Sequence, residues 1–559
     1  MKRLAVIASI VLIALCLAAC HTEMAKLQPP KQKTDKMAAA APPMPPPPGA
    51  PSPSASTAYR CQLCAQASPY GVESGVVGGV AGGVVGGAPG GVLGYAYEIP
   101  AEIPQHAMPE EKAFVLTEKE ATTTFAIDVD RASYANIRRF LAQGTLPPPE
   151  AVRIEEMINY FDYDYPQPAG DVPFSITTEV AGCPWESSRR LLRIGIQGAQ
   201  LEPWRMAPNH LVFLLDVSGS MQPPQRLPML KSAFRVLTNQ LRAEDSVAIV
   251  VYAGASGLAL PPTSGADKET ILHALDFLEA GGSTAGGAGI ELAYKVAQEN
   301  FDPKANNRVI LATDGDFNVG ISNLEELQKL IEAKRDSGIF LTTLGVGDDN
   351  YRDSVLELLA DKGNGNYAYL DSIKEAEKVF KKELTGTLVT IAKDVKVQLE
   401  FNPELVASYR QIGYENRALA NEDFDDDTKD AGELGAGHSV TALYEIVPTS
   451  PKATGEIAKL RLRYQEPRGS ASRLITASAI DDGTNAYAAS PDLQFAAAVA
   501  EVGMLLRDSP HKGTSTFTDA LQLARIARGS DMDGFRAEFI HLADSARVMK
   551  KNDTEVAQE

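Results

Sequence analysis

Three short clusters in the middle of this 559-residue chain carry side chains suited to holding a hard cation. Asp216-Val217-Ser218-Gly219-Ser220-Met221 closes an apolar run. Gly281-Gly282-Ser283-Thr284-Ala285-Gly286 is a glycine-rich turn, and Thr313-Asp314-Gly315-Asp316 closes a second apolar run. Asp216, Ser218, Ser220, Thr284 and Asp314 offer only carboxylate and hydroxyl oxygens. Mg²⁺ prefers near-octahedral oxygen coordination and commonly keeps waters when only one or two carboxylates reach it. So sparsely charged a site leaves the ion unsaturated, and a ligand's carboxylate can replace a water. Ser218 and Ser220 could instead cap the helix that follows, a role that leaves Thr284 and Asp314 unexplained. Asp316 reads as a turn former.

The elements that must position these clusters are legible in the hydrophobic pattern of residues 209–387. HLVFLLD, DSVAIVVY, RVILATD, IFLTTLGVG and NYAYL read as strands. Between them LPMLKSAFRVLTNQL, ETILHALDFLEA, GIELAYKVAQENF, NLEELQKLIEAKRDSG and DSVLELLADKG read as helices. Strands apolar on both faces that alternate with helices predict an α/β fold, a doubly wound and mostly parallel sheet covered on both sides. In such sheets ligands bind beyond the carboxyl ends of the strands, which is where the clusters fall.

With Asp-x-Ser-x-Ser at 216–220, Thr284 and Asp314 in this order, the segment resembles the Rossmann-like von Willebrand factor type A domain and its metal-ion-dependent adhesion site. The resemblance implies that Ser218, Ser220 and Thr284 bind Mg²⁺, or Mn²⁺ or Ca²⁺, directly or through water. Asp216 and Asp314 would act largely through water, and a partner protein would complete the site with a carboxylate.

Residues 113–208 read as two helical stretches, 131–143 and 149–161, followed by strands at 172–200. Residues 388–480 read as a β-rich module, with KVQLEF, TALYEIV and AKLRLRY its clearest strands, and residues 481–559 as a helical region. Strands on both sides of the central domain suggest one β-rich module with that domain inserted. Asp128 and Asp130, at a strand-to-helix turn, read as caps rather than ligands. Residues 421–433 hold seven acids and one lysine; no Gly-then-Glu completes a calcium loop, and a solvated loop is expected. FAIDVDRASYANIRRFL, EEMINYFDYDYPQP, AGHSVTALYEIVP and FAAAVAEVGMLLRD extend the resemblance to the YfbK-like von Willebrand factor A lipoproteins of Gram-negative bacteria, over roughly residues 113–549.

The first nineteen residues read as a signal peptide, with Lys2 and Arg3 ahead of an apolar stretch. Leu17-Ala18-Ala19-Cys20 resembles a lipobox, which would make Cys20 an acylated membrane anchor. His21 in place of Asp points to the outer membrane of the cell envelope. Residues 20–112 read as a disordered tether, with ten prolines in 29–53 and eleven glycines in 71–94. Cys61 and Cys64 lack the strand-to-helix setting of a redox pair and read as a local disulfide. Cys183 is left unpaired and expected to be buried.

A net charge of −19 argues against nucleic acid as partner. The histidines are scattered, and no GxSxG or HExxH motif suggests catalysis. The sequence therefore points to a non-enzymatic, tethered adhesion or scaffold protein that grips an acidic surface through a metal. The alternative is an envelope assembly or regulatory factor that presents client proteins.

Overall fold

A computed structural model describes residues 111–556, apart from 128–129, 203–205, 254–255, 283–285, 316–323, 348–352, 384–385, 387–388, 428, 430, 468 and 470. The signal and tether with Cys20, Cys61 and Cys64 lie outside the described residues, as do Asp128, Thr284 and Asp316.

Two short strands, β1 (Val115–Leu116) and β2 (Thr122–Ala126), precede helices α1 (Ala132–Ala142) and α2 (Ile154–Asn159). Strands β3 (Phe174–Gly182) and β4 (Arg190–Gly198) follow. The central domain comprises β5 (Asn209–Asp216), α3 (Leu227–Gln240), β6 (Ser246–Tyr252), β7 (Ser256–Ser264), α4 (Lys268–Asp276) and α5 (Gly286–Glu299). It continues through β8 (Asn306–Thr313), α6 (Leu324–Asp336), β9 (Ile339–Val346), α7 (Asp353–Lys362), β10 (Tyr367–Leu370) and α8 (Ile373–Glu377). Then come β11 (Thr390–Phe401), β12 (Val406–Ile412), β13 (Ala418–Leu419), β14 (Leu434–Gly435), β15 (Ser439–Pro448), β16 (Gly455–Gln465) and β17 (Ser472–Asp481). Helices α9 (Pro491–Arg507), α10 (Phe517–Ile526) and α11 (Phe535–Val556) close the chain.

The central sheet has the order β10-β9-β8-β5-β6-β7 and is parallel except for β7. Strand β5 shows why it sits in the middle. Leu211, Phe213 and Leu215 pack with Leu230, Phe234 and Leu237 of α3 on one face. Val212 and Leu214 meet Ile290 and Tyr294 of α5 and Leu327 of α6 on the other. A strand buried on both faces has no polar alternation to show, which is the pattern its sequence carries. Strand β7 is absent from the sequence reading because Pro261 and Pro262 look like a break. At a sheet edge a proline forfeits no ladder bond, and β7 pairs only with β6.

Two antiparallel sheets, β1-β12-β15-β4-β3 and β13-β2-β11-β16-β17, each draw strands from both sides of the central domain. They share one core, in which Phe125, Leu192, Ile194, Val397, Leu399 and Leu460 are buried. A helical layer lies against Ala181, Leu191 and Leu443 of the first sheet, and it too unites the flanks. Phe161 stands edge-on to Phe495 and Phe539, with ring centroids 5.0 and 5.5 Å apart, so residues beside α2 share an aromatic cluster with α9 and α11. Such pairs add roughly 0.5–1.5 kcal/mol each beyond area burial.

Ion pairs lock the central domain to these flanks. Arg138 of α1 grips Asp371 through two 2.6 Å bonds and Glu375 through a third, and also bonds the Tyr160 hydroxyl at 2.8 Å. The N-cap position of α1 is Arg131, and Asp130 before it accepts bonds from the Tyr367 amide and from Arg417, both at 3.3 Å. Its buried carboxylate is therefore a strut between modules. The 421–433 segment is not a freely solvated loop either. Arg463 on β16 pairs with Asp425 at 3.1 Å and Asp427 at 3.0 Å, and the Lys396 ammonium bonds the Asp423 carbonyl at 3.0 Å. The sequence hid this because the compensating cations lie on another strand.

Candidate metal-binding site

Asp216 is the last residue of β5, and Ser218 and Ser220 follow in a loop and one 3-10 turn, Gly219–Met221. Asp314 comes directly after the last residue of the neighbouring β8. The two parallel strands thus deliver both carboxylates to the same carboxyl-terminal edge. Backbone bonds then bring in the glycine-rich turn. The Gly219 amide donates to the Gly282 carbonyl at 3.0 Å, and the Gly281 amide to the Val217 carbonyl at 2.8 Å. Gly282 sits at φ +84°, a left-handed conformation that glycine takes without strain.

Within this edge the hydroxyls of Ser218 and Ser220 lie 2.9 Å apart. Asp216 is fully buried, accepting the Ser218 amide at 2.8 Å and the Thr313 hydroxyl at 3.2 Å. These bonds hold its carboxylate in place beneath the serines. Burial raises the Asp216 carboxyl above its ordinary range; the bonds from Ser218 oppose the shift and the Asp314 charge adds to it. Two carboxylates near each other in a desolvated edge are a setting that a cation would relieve.

The capping alternative does not hold. Ser218 occupies the N-cap of the 3-10 turn, but its side chain makes no capping bond, and the N-cap of α3 is Arg226. That arginine is a feature of the site the sequence reading missed. Its Nη1 donates to Asp314 Oδ2 at 2.6 Å and to the Ser220 carbonyl at 2.9 Å. The two side chains are 9% and 2% exposed. Gly347, at φ +88°, makes room for the guanidinium, since a Cβ there would lie 2.6 Å from Arg226 Nε. One signal could have exposed it. Cations are disfavoured at helix N-termini, where Ser, Thr, Asp or Asn is usual, so an N-cap arginine needs an anion nearby.

The donors present fit a hard divalent cation: Ser218 and Ser220 hydroxyls beside two carboxylates, with all atoms oxygen. Among the described residues no group of three or more His, Cys, Asp or Glu converges to hold a metal ion, so the two carboxylates would need the serine hydroxyls and waters to complete a coordination sphere. Cys183 is a buried free thiol, its Sγ 4.0 Å from Glu445 Oε1, and burial pushes its pKa up. Among the described residues no helix is long and apolar enough to cross a membrane.

Three family profiles match the sequence. "Uncharacterized protein YfbK, C-terminal" covers residues 386–549, "von Willebrand factor" residues 102–193, and "von Willebrand factor type A domain" residues 211–316. Uncharacterized protein YfbK of Escherichia coli K12 is 44% identical over 448 residues, 76% of this chain and 77% of that one. A second relative, an uncharacterized Synechocystis protein, is 28% identical over 36% of this chain and 46% of its own. Among solved structures, a von Willebrand factor type A protein from Catenulispora acidiphila aligns at 16% identity and a TM-score of 0.38. That alignment spans 67% of this chain and 91% of the other.

Proposed function

This chain belongs to the YfbK family with its von Willebrand factor type A domain, and from that premise we propose that it is a lipid-tethered, metal-dependent protein-binding lipoprotein of the cell envelope. A von Willebrand factor A domain suggests a protein-interaction role, and such domains commonly bind a divalent metal. The observation that carries the reading is the convergence of Asp216, Ser218, Ser220 and Asp314 at one carboxyl-terminal edge of the sheet. These residues, with Thr284 by resemblance, would hold Mg²⁺ or a similar ion. Such an ion would supply an electrophilic centre for a carboxylate on the partner protein.

The protein's own groups divide the remaining work. The Ser218 amide and Thr313 hydroxyl fix the Asp216 carboxylate. The Gly219–Gly282 bond fixes the loop that carries the serines. Arg226 holds Asp314 and draws off part of its charge. The Ser218 and Ser220 hydroxyls lie 2.9 Å apart beside the Asp216 carboxylate, an all-oxygen pairing that suits a ligand role. Cys20 would be the acylated anchor and residues 20–112 the tether, placing the body off the outer membrane. Cys61 and Cys64 would close a local disulfide within it.

Capture of envelope proteins on the immobilised chain tests this reading, run with Mg²⁺, with EDTA, and with a Ser218→Ala, Ser220→Ala double variant. A partner retained only by the parent in Mg²⁺ supports it. Retention that ignores both EDTA and the substitutions would sink it.

A further inference from the structure

At the seam between the central domain and the β-sandwich lies a cavity of about 360 Å³. Its walls include Arg308 and Lys362 from the domain, and Arg417, Glu433 and His438 from the sandwich side. Arg308 stands near the start of β8, at the far end of that strand from Thr313 and Asp314.

Arg308 is 1% exposed, yet among the described residues it makes one hydrogen bond, from Nη1 to the Thr342 hydroxyl at 2.7 Å. Its Nε is buried without a partner, and among the described residues no carboxylate forms an ion pair with it, Glu433 acting only from farther off. The guanidinium lies over the Phe340 ring, 5.4 Å from its centroid, which supports a cation but satisfies no N–H. A guanidinium has five N–H donors in a fixed fork. A buried charge without a counter-ion costs several kcal/mol, so proteins that keep one commonly give it something to bind. Burial pulls its pKa down to about 10, with Glu433 opposing, so the group remains charged at neutral pH.

A second wall residue, His438, is neutral, because burial pulls its pKa down to about 4, and so adds no charge of its own. Nε2 of His438 is buried with no hydrogen-bond partner among the described residues. Asp361, which also lines the cavity, is already engaged by Arg417 at 3.2 Å. The seam thus combines space with a buried guanidinium that has one hydrogen bond and no counter-ion among the described residues.

We propose that this cavity binds a small oxyanion, a carboxylate or phosphate group on a compact molecule, held by the Arg308 fork and bridging the central domain to the sandwich. The fork geometry matches two oxygens of either group. The volume lies at the small end of ligand pockets, large enough for a compact organic anion rather than a bare ion. This site is separate from the metal edge and does not depend on it.

The test is thermal melting and calorimetry of the full chain in EDTA, titrated with inorganic phosphate and, separately, with succinate. Sodium chloride at matched ionic strength is the reference. The expected result is a saturable rise in melting temperature with at least one of the two anions, and preference between them identifies the headgroup. Arg308→Met should weaken that anion about tenfold or more, while Arg308→Lys keeps part of the effect. In anion-free buffer the Met variant should melt within a few degrees of the parent or above it, since it removes an unpaired buried charge. A Ser218→Ala, Ser220→Ala variant should respond like the parent. Absence of any saturable rise, an unchanged rise in Arg308→Met, or a large loss of stability in Arg308→Met without anion would each overturn the proposal. The last would make Arg308 a structural strut on Thr342.

Discussion

Replacing Arg226 with glutamine sets a resident cation against a bound one at the same carboxylate. Arg226 Nη1 stands 2.6 Å from Asp314 Oδ2, with both side chains almost wholly buried. A hydrogen bond of this kind to a charged group contributes about 1.5–3 kcal/mol. A divalent ion that draws on Asp314 must compete with that bond, so Arg226→Gln should tighten Mg²⁺ or Mn²⁺ binding by roughly 10- to 100-fold. In EDTA the same change takes the charged Arg226 partner away from the buried Asp314, a loss of up to about 3–5 kcal/mol. The variant should then melt several degrees below the parent in EDTA and regain most of the difference when metal is added, because a ligand that binds only the folded state stabilises it by mass action. Calorimetric titration with Mn²⁺ and melting curves with and without metal measure both halves. Arg226→Lys, which keeps the charge, should sit nearer the parent. Weaker metal binding in Arg226→Gln would refute the reasoning, for it would mean that Arg226 orients Asp314 toward the ion instead of competing for it.

Two further predictions follow from buried groups elsewhere. Glu501 of α9 is 2% exposed, with its Oε1 bonded by the Ser515 hydroxyl at 3.0 Å, and burial raises its pKa to about 7 from an ordinary 4.5. Because the folded value lies above the unfolded one, the folded state holds the extra proton between those pH values, and this residue lowers stability as pH rises from 4.5 to 7. Glu501→Gln should therefore be more stable than the parent at pH 8, by up to roughly 3 kcal/mol, with the gap closing near pH 4.5; denaturant melts at the two pH values check it, and a gap that does not change with pH contradicts it. Gly195 on β4 leaves room for Tyr165, since a Cβ there would fall 2.1 Å from Cε1 of that ring. Gly195→Ala should cost about 1–3 kcal/mol by overpacking, read as a lower denaturation midpoint, and a Gly195→Ala, Tyr165→Leu pair should recover part of it.

How much of this was legible depends on whether the signal is local. Strand β5 advertises itself because Leu211 to Leu215 are buried alternately on two covered faces. The Asp-x-Ser-x-Ser loop is equally local, so its place at a strand end followed from the same pattern. The pairing of the flanks is not local. Strand β2 takes its register from β11, with Ala126 opposite Lys396, and no period in either segment encodes that partner. The helical layer is hidden for the same reason, since α2 and α9 meet only in three dimensions, where Gly503 lies against Ile154 and Met157. Arg226 and Arg308 were invisible as chemistry because an arginine in a strand or before a helix reads as surface. Only burial exposes what each must be compensated by.

The central claim is that Ser218 and Ser220, poised above Asp216 and beside Asp314, hold a divalent ion. Calorimetric titration of the full chain with Mg²⁺ against the Ser218→Ala, Ser220→Ala double variant, with melting curves to confirm an intact fold, tests it most directly. The account predicts a saturable site in the parent that the double variant loses while staying folded. A double variant that binds Mg²⁺ as tightly as the parent would contradict it.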